Sequence, residues 1–231
     1  MMRTLDIATS FVASVARLGA GMEIAPLGTR PDKLLVLYDF EACPYCRKVR
    51  EALSILDLDA VVYPCPKAGP RFRPEAARLG GKAQFPYLVD PNTEVAMYES
   101  DDIVRYLCHT YGDGTVPRAL GLGLVTDLSS TIASAARLGS GSRYRTARQP
   151  QAPLELWSFE ASPFCRLARE ALCELELPYL LHNVAKGSRK REAFVGRAGK
   201  MQVPYLVDAN TGTALFESAD IVRYLETTYA V

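Results

Sequence analysis

Apolar and polar positions along this chain follow a pattern that is written out twice. The run Leu34-Leu35-Val36-Leu37-Tyr38 is continuous and short, as in a buried strand. Beyond Cys43-Pro44-Tyr45-Cys46, residues Val49, Leu53, Ile55 and Leu56 recur at helical spacing, with Arg47, Lys48, Arg50 and Glu51 on the other side. A second strand is predicted over Ala60-Val61-Val62-Tyr63, then a short basic helix from about Arg71 to Leu79 that ends at Gly80-Gly81. Gln84 to Asp90 reads as a strand containing a proline. The turn Pro91-Asn92 joins it to Glu94–Tyr98 as an antiparallel hairpin. Ser100 then caps a helix through Tyr111, with Asp101 and Asp102 in its first turn. Ahead of all this, Leu5 to Leu18 predicts an extra packing helix stopped by Gly19 and Gly21. The order is helix, then β-α-β-α-β-β-α.

The same order then starts again. Ile132 to Gly139 echoes the first helix, and Phe159-Glu160-Ala161-Ser162-Pro163-Phe164-Cys165-Arg166 echoes Phe40 to Arg47 at an offset of 119. Pro204-Tyr205-Leu206-Val207-Asp208 repeats Pro86 to Asp90 at an offset of 118. Glu217-Ser218 repeats Glu99-Ser100, and Ile221 to Leu225 repeats Ile103 to Leu107. A near-constant offset over the whole unit means a duplicated domain and not a solenoid. The division falls within the Gly/Pro-bearing connection, giving expected domains 1–118 and 119–231.

The chemistry concentrates at Cys43-Pro44-Tyr45-Cys46. A CxxC where a strand passes into a helix puts its first cysteine at the helix N-terminus, where unpaired N–H groups favour a thiolate. The second lies one turn on, within reach of a disulfide formed on the first. Half of a zinc site is the competing reading, but no second pair stands at ligand spacing, so no metal is expected. Cys65, Cys108 and Cys173 read as small packing residues. His109 and His182 have no neighbour that suggests catalysis, and Trp157, aligned with Tyr38, reads as core. Arg143, Arg145 and Arg148 read as a solvated linker.

Composition narrows the class. In 231 residues, 48% hydrophobic and 23% charged, with a net charge of +1, there is room for two normal cores and no global pull toward nucleic acid. No apolar run is long enough to span a membrane. Six cysteines are too few for a disulfide scaffold, and thiols kept reduced in a cytoplasmic setting fit better.

Taken together, strand, CPYC, helix, proline-bearing strand and Glu-Ser helix start resemble the thioredoxin superfamily, more narrowly the glutaredoxins and the N-terminal domain of glutathione S-transferases. The resemblance covers roughly Lys33–Gly112 and Pro153–Val231. It implies an α/β protein of two tandem thioredoxin-fold domains, with glutathione as co-substrate. By the resemblance, Cys43 is the nucleophile and Cys46 the resolving thiol. Pro86 and Pro204 match the cis-proline, which places the backbone of Phe85 and Val203 against the cysteinyl part of glutathione. Tyr45, Glu99, Ser100, Glu217 and Ser218 match glutathione-binding positions. Glu99 would accept from the ligand's ammonium, and Ser100 at its helix start would hold the γ-glutamyl carboxylate. Arg71 and Arg73, with counterparts Arg189 and Arg191, flank the expected glycine end or form a solvated basic face.

The second repeat departs at its nucleophile. Ser162 stands where Cys43 does, so a dithiol cycle is impossible there. Ser162 either donates a hydrogen bond to a bound glutathione thiolate or belongs to a purely structural repeat. The resulting expectation is a glutathione-dependent thiol–disulfide oxidoreductase acting on a disulfide-bearing small molecule or protein, as a pseudo-symmetric monomer or a homodimer. Glutaredoxin-type motifs sit at roughly −200 to −230 mV, near the cytosolic glutathione poise. Two alternatives are a glutathione transferase or isomerase with a pocket between the repeats, and a glutathione-sensing scaffold.

Overall fold

The computed structural model describes residues 9–10, 21–121 and 139–231. The extra helices expected over Leu5–Leu18 and Ile132–Leu138 lie outside the described residues, apart from Thr9 and Ser10, which are helical. The first repeat contains β1 (Leu35–Asp39), α1 (Pro44–Ile55), β2 (Ala60–Pro64), α2 (Phe72–Gly80), β3 (Tyr87–Asp90), β4 (Val95–Met97) and α3 (Ser100–Tyr111), followed by the single turn α4 (Arg118–Gly121). The second contains β5 (Leu154–Ser158), α5 (Pro163–Glu174), β6 (Tyr179–Asn183), α6 (Lys190–Ala198), β7 (Tyr205–Asp208), β8 (Thr213–Phe216) and α7 (Ser218–Tyr229). This is the β-α-β-α-β-β-α order read from the hydrophobic pattern, twice. The third strand of each repeat begins after its proline, at Tyr87 and Tyr205, because proline supplies no N–H to a ladder.

Local sequence explains the helix ends. Pro44 and Pro163 occupy the first turn of α1 and α5, where a missing N–H costs nothing. Gly81 and Gly199 close α2 and α6 in the left-handed conformation that a side chain resists.

Within each repeat β1·β2 and β5·β6 are parallel, while β1·β3, β3·β4, β5·β7 and β7·β8 are antiparallel. The repeats are not beads on a string. Strand β2 pairs antiparallel with β6, through Ala60–Leu181, Val61–Leu180 and Val62–Tyr179. The result is one eight-stranded sheet of order β4-β3-β1-β2-β6-β5-β7-β8. Val62 packs into the second repeat's core of Leu154, Leu156, Leu172, Ile221 and Leu225. The first core gathers Leu35, Leu37, Val49, Leu53, Ile103 and Leu107 between the sheet and helices α1 and α3. Aromatic clusters built on Tyr38, Phe72 and Tyr87 and on Trp157, Phe194 and Tyr205 lie under α2 and α6.

Antiparallel joining brings α1 and α5 together, a contact that the sequence pattern did not reveal. The polar side of α1 does not face water: Arg47, Lys48, Arg50 and Glu51 are all buried, as are Arg166, Arg169 and Glu170 of α5. Arg50 donates through Nε to Glu160 of the other repeat at 3.1 Å, and its Nη1 pairs with Asp39. Arg169 reciprocates, donating through Nε and Nη2 to Glu41 at 3.1 and 3.2 Å. Each arginine also meets its own repeat's glutamate, Arg50–Glu41 at 3.2 Å and Arg169–Glu160 at 2.9 Å. Periodicity finds a polar stripe, but nothing in it distinguishes water from a complementary polar stripe on another helix.

The same reciprocity extends around the cluster. Ser54 Oγ donates to Gly21 O at 2.7 Å and accepts from Glu160 N–H at 3.3 Å. At the equivalent place Cys173 Sγ donates to Gly141 O at 3.2 Å and accepts from Glu41 N–H at 3.4 Å. Gly141, at φ +75°, leaves no room for a side chain, since a Cβ there would meet Glu41 Cβ at 2.8 Å. The segments leading into each repeat cross to the other one. Ile24 N–H donates to Lys186 O, and Lys67 N–H to Ser142 O. Arg143, Arg145 and Arg148 are exposed, as expected, but the backbone beneath them is pinned, with Arg145 N–H donating to Glu174 O and its side chain paired to Glu226 at 2.7 Å. His182 pairs with Asp59 of the other repeat at 3.0 Å, a contact across the joint. Trp157 is core, as expected, stacked between His182 and Phe194.

Burial raises the cost of ionising Glu160, but Arg169, Arg50, Arg47 and Arg166 outweigh it and hold the carboxyl at about 2. A carboxyl depressed on folding contributes stability above its unfolded value. That contribution disappears as the pH falls through the folded one. Glu160 should therefore stabilise the protein fully above about pH 4.5 and progressively less toward pH 2. Glu160→Ala is expected to cost about 3–5 kcal/mol in denaturant unfolding at neutral pH, because it leaves buried guanidinium charge uncompensated. It should also flatten the acid limb of stability. A loss under about 1 kcal/mol with an unchanged acid limb would show that the cluster does not hold the repeats together.

Candidate functional site

Cys43 caps α1 with its sulfur, accepting from Cys46 N–H at 3.3 Å. The two thiols share a turn but have opposite environments. Cys43 is nearly buried and Cys46 fully so. A hydrogen bond from the Cys46 thiol is the largest influence on Cys43. Burial opposes it, while the backbone N–H groups of Cys46 and Tyr45 and the charge of Arg50 add to it, so the Cys43 thiol lies below the ordinary range. Cys46 is pushed well up, first by burial and then by its hydrogen bond to, and the charge on, Cys43. Sequence reasoning assigned the field on Cys43 to Arg47 and Lys48. Arg50, further along the helix, also adds its charge to that field.

Beside this turn lies a cavity of about 470 Å³ lined by Tyr45, Gln84, Phe85, Pro86, Glu99, Ser100 and Asp101. The five first-repeat residues expected at a glutathione site, Tyr45, Phe85, Pro86, Glu99 and Ser100, thus converge on one cavity. The Phe85–Pro86 bond is cis, as is Val203–Pro204. Glu99 holds φ at +66°, an unusual conformation for a side-chain-bearing residue, and accepts from Gln84 Nε2 at 2.6 Å. Ser100, the first residue of α3, is buried. Arg73 does not stand in solvent. Its Nε donates to Pro66 O at 2.7 Å, and its guanidinium lies over the rings of Phe85 and Phe40, 4.7 and 5.4 Å from their centroids.

Sequence reasoning placed Lys48 beside Cys43 and treated Asp101 as a first-turn acid whose charge weakens anion binding, without joining the two. In the structure the fully buried Lys48 ammonium pairs with the half-exposed Asp101 carboxylate, and Asp101 lines the cavity. A signal was present. At the equivalent positions the second repeat carries Leu167 and Ala219, so both members of the pair change together.

The second repeat keeps the frame with a serine in place of the first cysteine. Ser162 caps α5, accepting from Cys165 N–H at 3.2 Å. Glu217 again holds a positive φ, +63°, and accepts from Gln202, while Ser218 begins α7 and is buried. Phe164 is exposed where Tyr45 is exposed in the first repeat. Ser10 Oγ donates to Pro163 O at 2.8 Å, and Arg166 Nη1 donates to Ser10 O at 2.6 Å, so Ser10 lies at the first turn of α5. Outside the two motifs, Cys65, Cys108 and Cys173 are buried, and burial pushes each thiol up. Among the described residues no group of His, Cys, Asp and Glu is placed to hold a metal ion, and no helix is long and apolar enough to cross a membrane.

Comparison with known proteins agrees with this architecture. Residues 37–115 and 156–231 each match the glutathione S-transferase N-terminal domain. The chain belongs to that family, and carries its domain twice on one thioredoxin-type sheet. No curated protein matches the chain. Among solved structures, one described as "Leishmania TDR1 - a unique trimeric glutathione transferase" aligns at 14% identity and a TM-score of 0.30, over 87% of this chain and 68% of that one. At that score the alignment carries no weight for geometry or activity.

The opposed environments of the two thiols make a direct expectation. Iodoacetamide should modify Cys43 first, with a rate that rises to half its maximum below the value of about 8.5 usual for a free thiol. Cys46 should react only after unfolding. Equal labelling of both, or a Cys43 rate that titrates like a free thiol, would remove the basis for a nucleophile here.

Proposed function

We propose that the first repeat is a glutathione-dependent thiol–disulfide oxidoreductase centred on Cys43. The observation that carries this reading is the pairing of a lowered Cys43 thiol with a raised Cys46 thiol beside a polar cavity. The family match supports glutathione as the thiol that feeds it. Cys43 Sγ, as thiolate, attacks one sulfur of a disulfide. A Cys43–S–S–R bond forms and the other thiolate leaves. Cys46 then loses its proton and attacks Cys43 Sγ, closing an internal disulfide and releasing the second thiolate. Alternatively, glutathione attacks in its place. Two glutathione molecules restore the dithiol and leave as one glutathione disulfide, so two electrons pass from glutathione to the substrate.

The raised Cys46 thiol fits the resolving role, since it stays protonated until Cys43 has spent its charge in a covalent bond. Gln84 holds the Glu99 carboxylate over the cavity, where it would accept an ammonium group. Ser100 and the start of α3 offer N–H donors to a carboxylate. For the second repeat, Ser162 excludes disulfide exchange, and the retained Gln202–Glu217 hydrogen bond and buried Ser218 support a site that binds without being oxidised. A transferase would need a pocket for an electrophile. In the described residues the α1–α5 joint is filled instead by its arginines and glutamates.

Reduction of hydroxyethyl disulfide with glutathione tests the reading. Cys43→Ser should abolish turnover, and Cys46→Ser should keep part of it, because glutathione itself can resolve the mixed disulfide. Glu99→Ala should raise the KM for glutathione by about 2- to 5-fold, the equivalent of about 0.5–1 kcal/mol for an exposed charge pair, without unfolding the domain. Negligible turnover by the unaltered protein would assign it instead to glutathione binding without catalysis. For the second repeat, Ser162→Cys should create a new disulfide-forming pair if its cleft is intact. An inert variant that also fails to bind glutathione would make that repeat structural.

A further inference from the structure

Asp101 presents a difficulty for an anionic ligand. Its carboxylate is half-exposed on the wall of the first cavity, one residue beyond Ser100, in the turn whose N–H groups would otherwise attract negative charge. An uncompensated carboxylate there would oppose the very end of a ligand that the helix start favours. Lys48 answers it from below. It sits on α1, five residues past Cys43, with its side chain fully buried and its ammonium on Asp101 Oδ1. A buried lysine is expensive to keep charged, so its retention needs a reason beyond packing. The second repeat shows that the fold itself does not supply that reason. The equivalent residues there are Leu167, buried, and Ala219, and α5 and α7 form in the same places with no ion pair at these two positions.

We propose that Lys48 is a positioning residue that makes the first cleft accept an anionic ligand, by cancelling the charge of Asp101 and holding its carboxylate away from the start of α3. The pair also ties the nucleophile's helix to the helix that borders the cavity, so the groups that would bind and react are held by one contact. Both members of the pair are exchanged in the second repeat, for Leu167 and Ala219. The second cleft then differs in kind from the first: it lacks both the local anion and its buried counter-ion. This inference rests on the reading of the first cleft as a glutathione site.

The test transplants the second repeat's own residues, which the fold accommodates. Three variants of the full chain are compared with the unaltered protein: Lys48→Leu, Asp101→Ala and the double variant. With hydroxyethyl disulfide as substrate, Lys48→Leu should raise the KM for glutathione about tenfold, more at low ionic strength, with kcat little changed. The double variant should return KM to within about twofold of the original, because the charge that Lys48 cancelled is gone. Lys48→Arg should also keep KM low. A defect in Lys48→Leu that the double variant does not repair would mean that Lys48 acts by packing or by another contact, and would overturn the proposal. So would an unchanged KM in Lys48→Leu.

A second readout separates this proposal from the glutathione reading. The ratio of Cys43 alkylation by anionic iodoacetate to that by neutral iodoacetamide should fall in Lys48→Leu and recover in the double variant, whatever the natural ligand is. If glutathione proves not to be used while that ratio moves as stated, the glutathione reading fails and the role of Lys48 stands. If the ratio does not move, the role of Lys48 fails.

Discussion

Everything distinctive about this protein depends on two arginines that reach across to the other repeat's glutamate. Arg50 to Glu160 and Arg169 to Glu41 are the same contact made twice about a pseudo-two-fold axis. A pair of thioredoxin-type units could hang on a flexible connection, each with its polar helix face in water. Here those faces are turned inward, and the price is that Arg47, Arg50, Arg166 and Arg169, with Glu41, Glu51, Glu160 and Glu170, are removed from solvent. Removing ions from water is costly unless each finds partners of opposite charge and the remaining lone pairs are satisfied. That requirement fixes the register of the whole joint. Only with β2 set against β6 do the two glutamates face the two arginines while Ser54 and Cys173 meet the opposing backbone.

The consequences run outward from that joint to the chemistry. Because α1 is clamped at Arg50, its first turn is held where Cys43 can take hydrogen bonds from Cys46 and Tyr45, and Arg50 adds its own charge to the field on the sulfur. One residue therefore serves both the assembly of the repeats and the environment of the nucleophile. The second repeat has the same clamp through Arg169 and the same capped helix, but its cap is a hydroxyl. Its conserved frame is what the joint demands of any unit in that place. Structural need therefore accounts for Arg169 and Glu160. It does not account for Gln202, Glu217 and Ser218, whose hydrogen bond, from Gln202 to Glu217, involves none of those arginines and glutamates.

Much of this was legible in the sequence, and the limits have physical causes. The order of strands and helices followed from the alternation of short apolar runs with helical spacing. The duplication followed from Pro86–Asp90 and Pro204–Asp208 at a constant offset. Cys43, Tyr45, Pro86, Glu99 and Ser100 were all singled out, and they do gather at one helix start and one cavity. The joint was not legible. Arg47, Arg50, Arg166 and Arg169 fall on a polar stripe that looks the same whether water or another helix covers it. For the same reason the segment around Arg145 resembled a linker, although its backbone is pinned to Glu174 and its side chain to Glu226. The pairing of Lys48 with Asp101 was missed because a single cation on a polar stripe carries no mark of burial. Only its joint change with Asp101 between the repeats sets it apart.

The central claim is that this chain of six thiols contains one redox centre, and that Cys43 and Cys46 form it. Equilibration of the intact protein in glutathione buffers of graded oxidation, followed by acid quenching, alkylation and peptide mass spectrometry, measures that claim directly. The account predicts a single transition in which Cys43 and Cys46 pass together from thiols to a disulfide, with any glutathione adduct confined to Cys43. Throughout, Cys65, Cys108, Cys165 and Cys173 should remain thiols. Oxidation of Cys165 alongside Cys43, or a Cys43–Cys46 pair that stays reduced across the whole range of buffers, would contradict it.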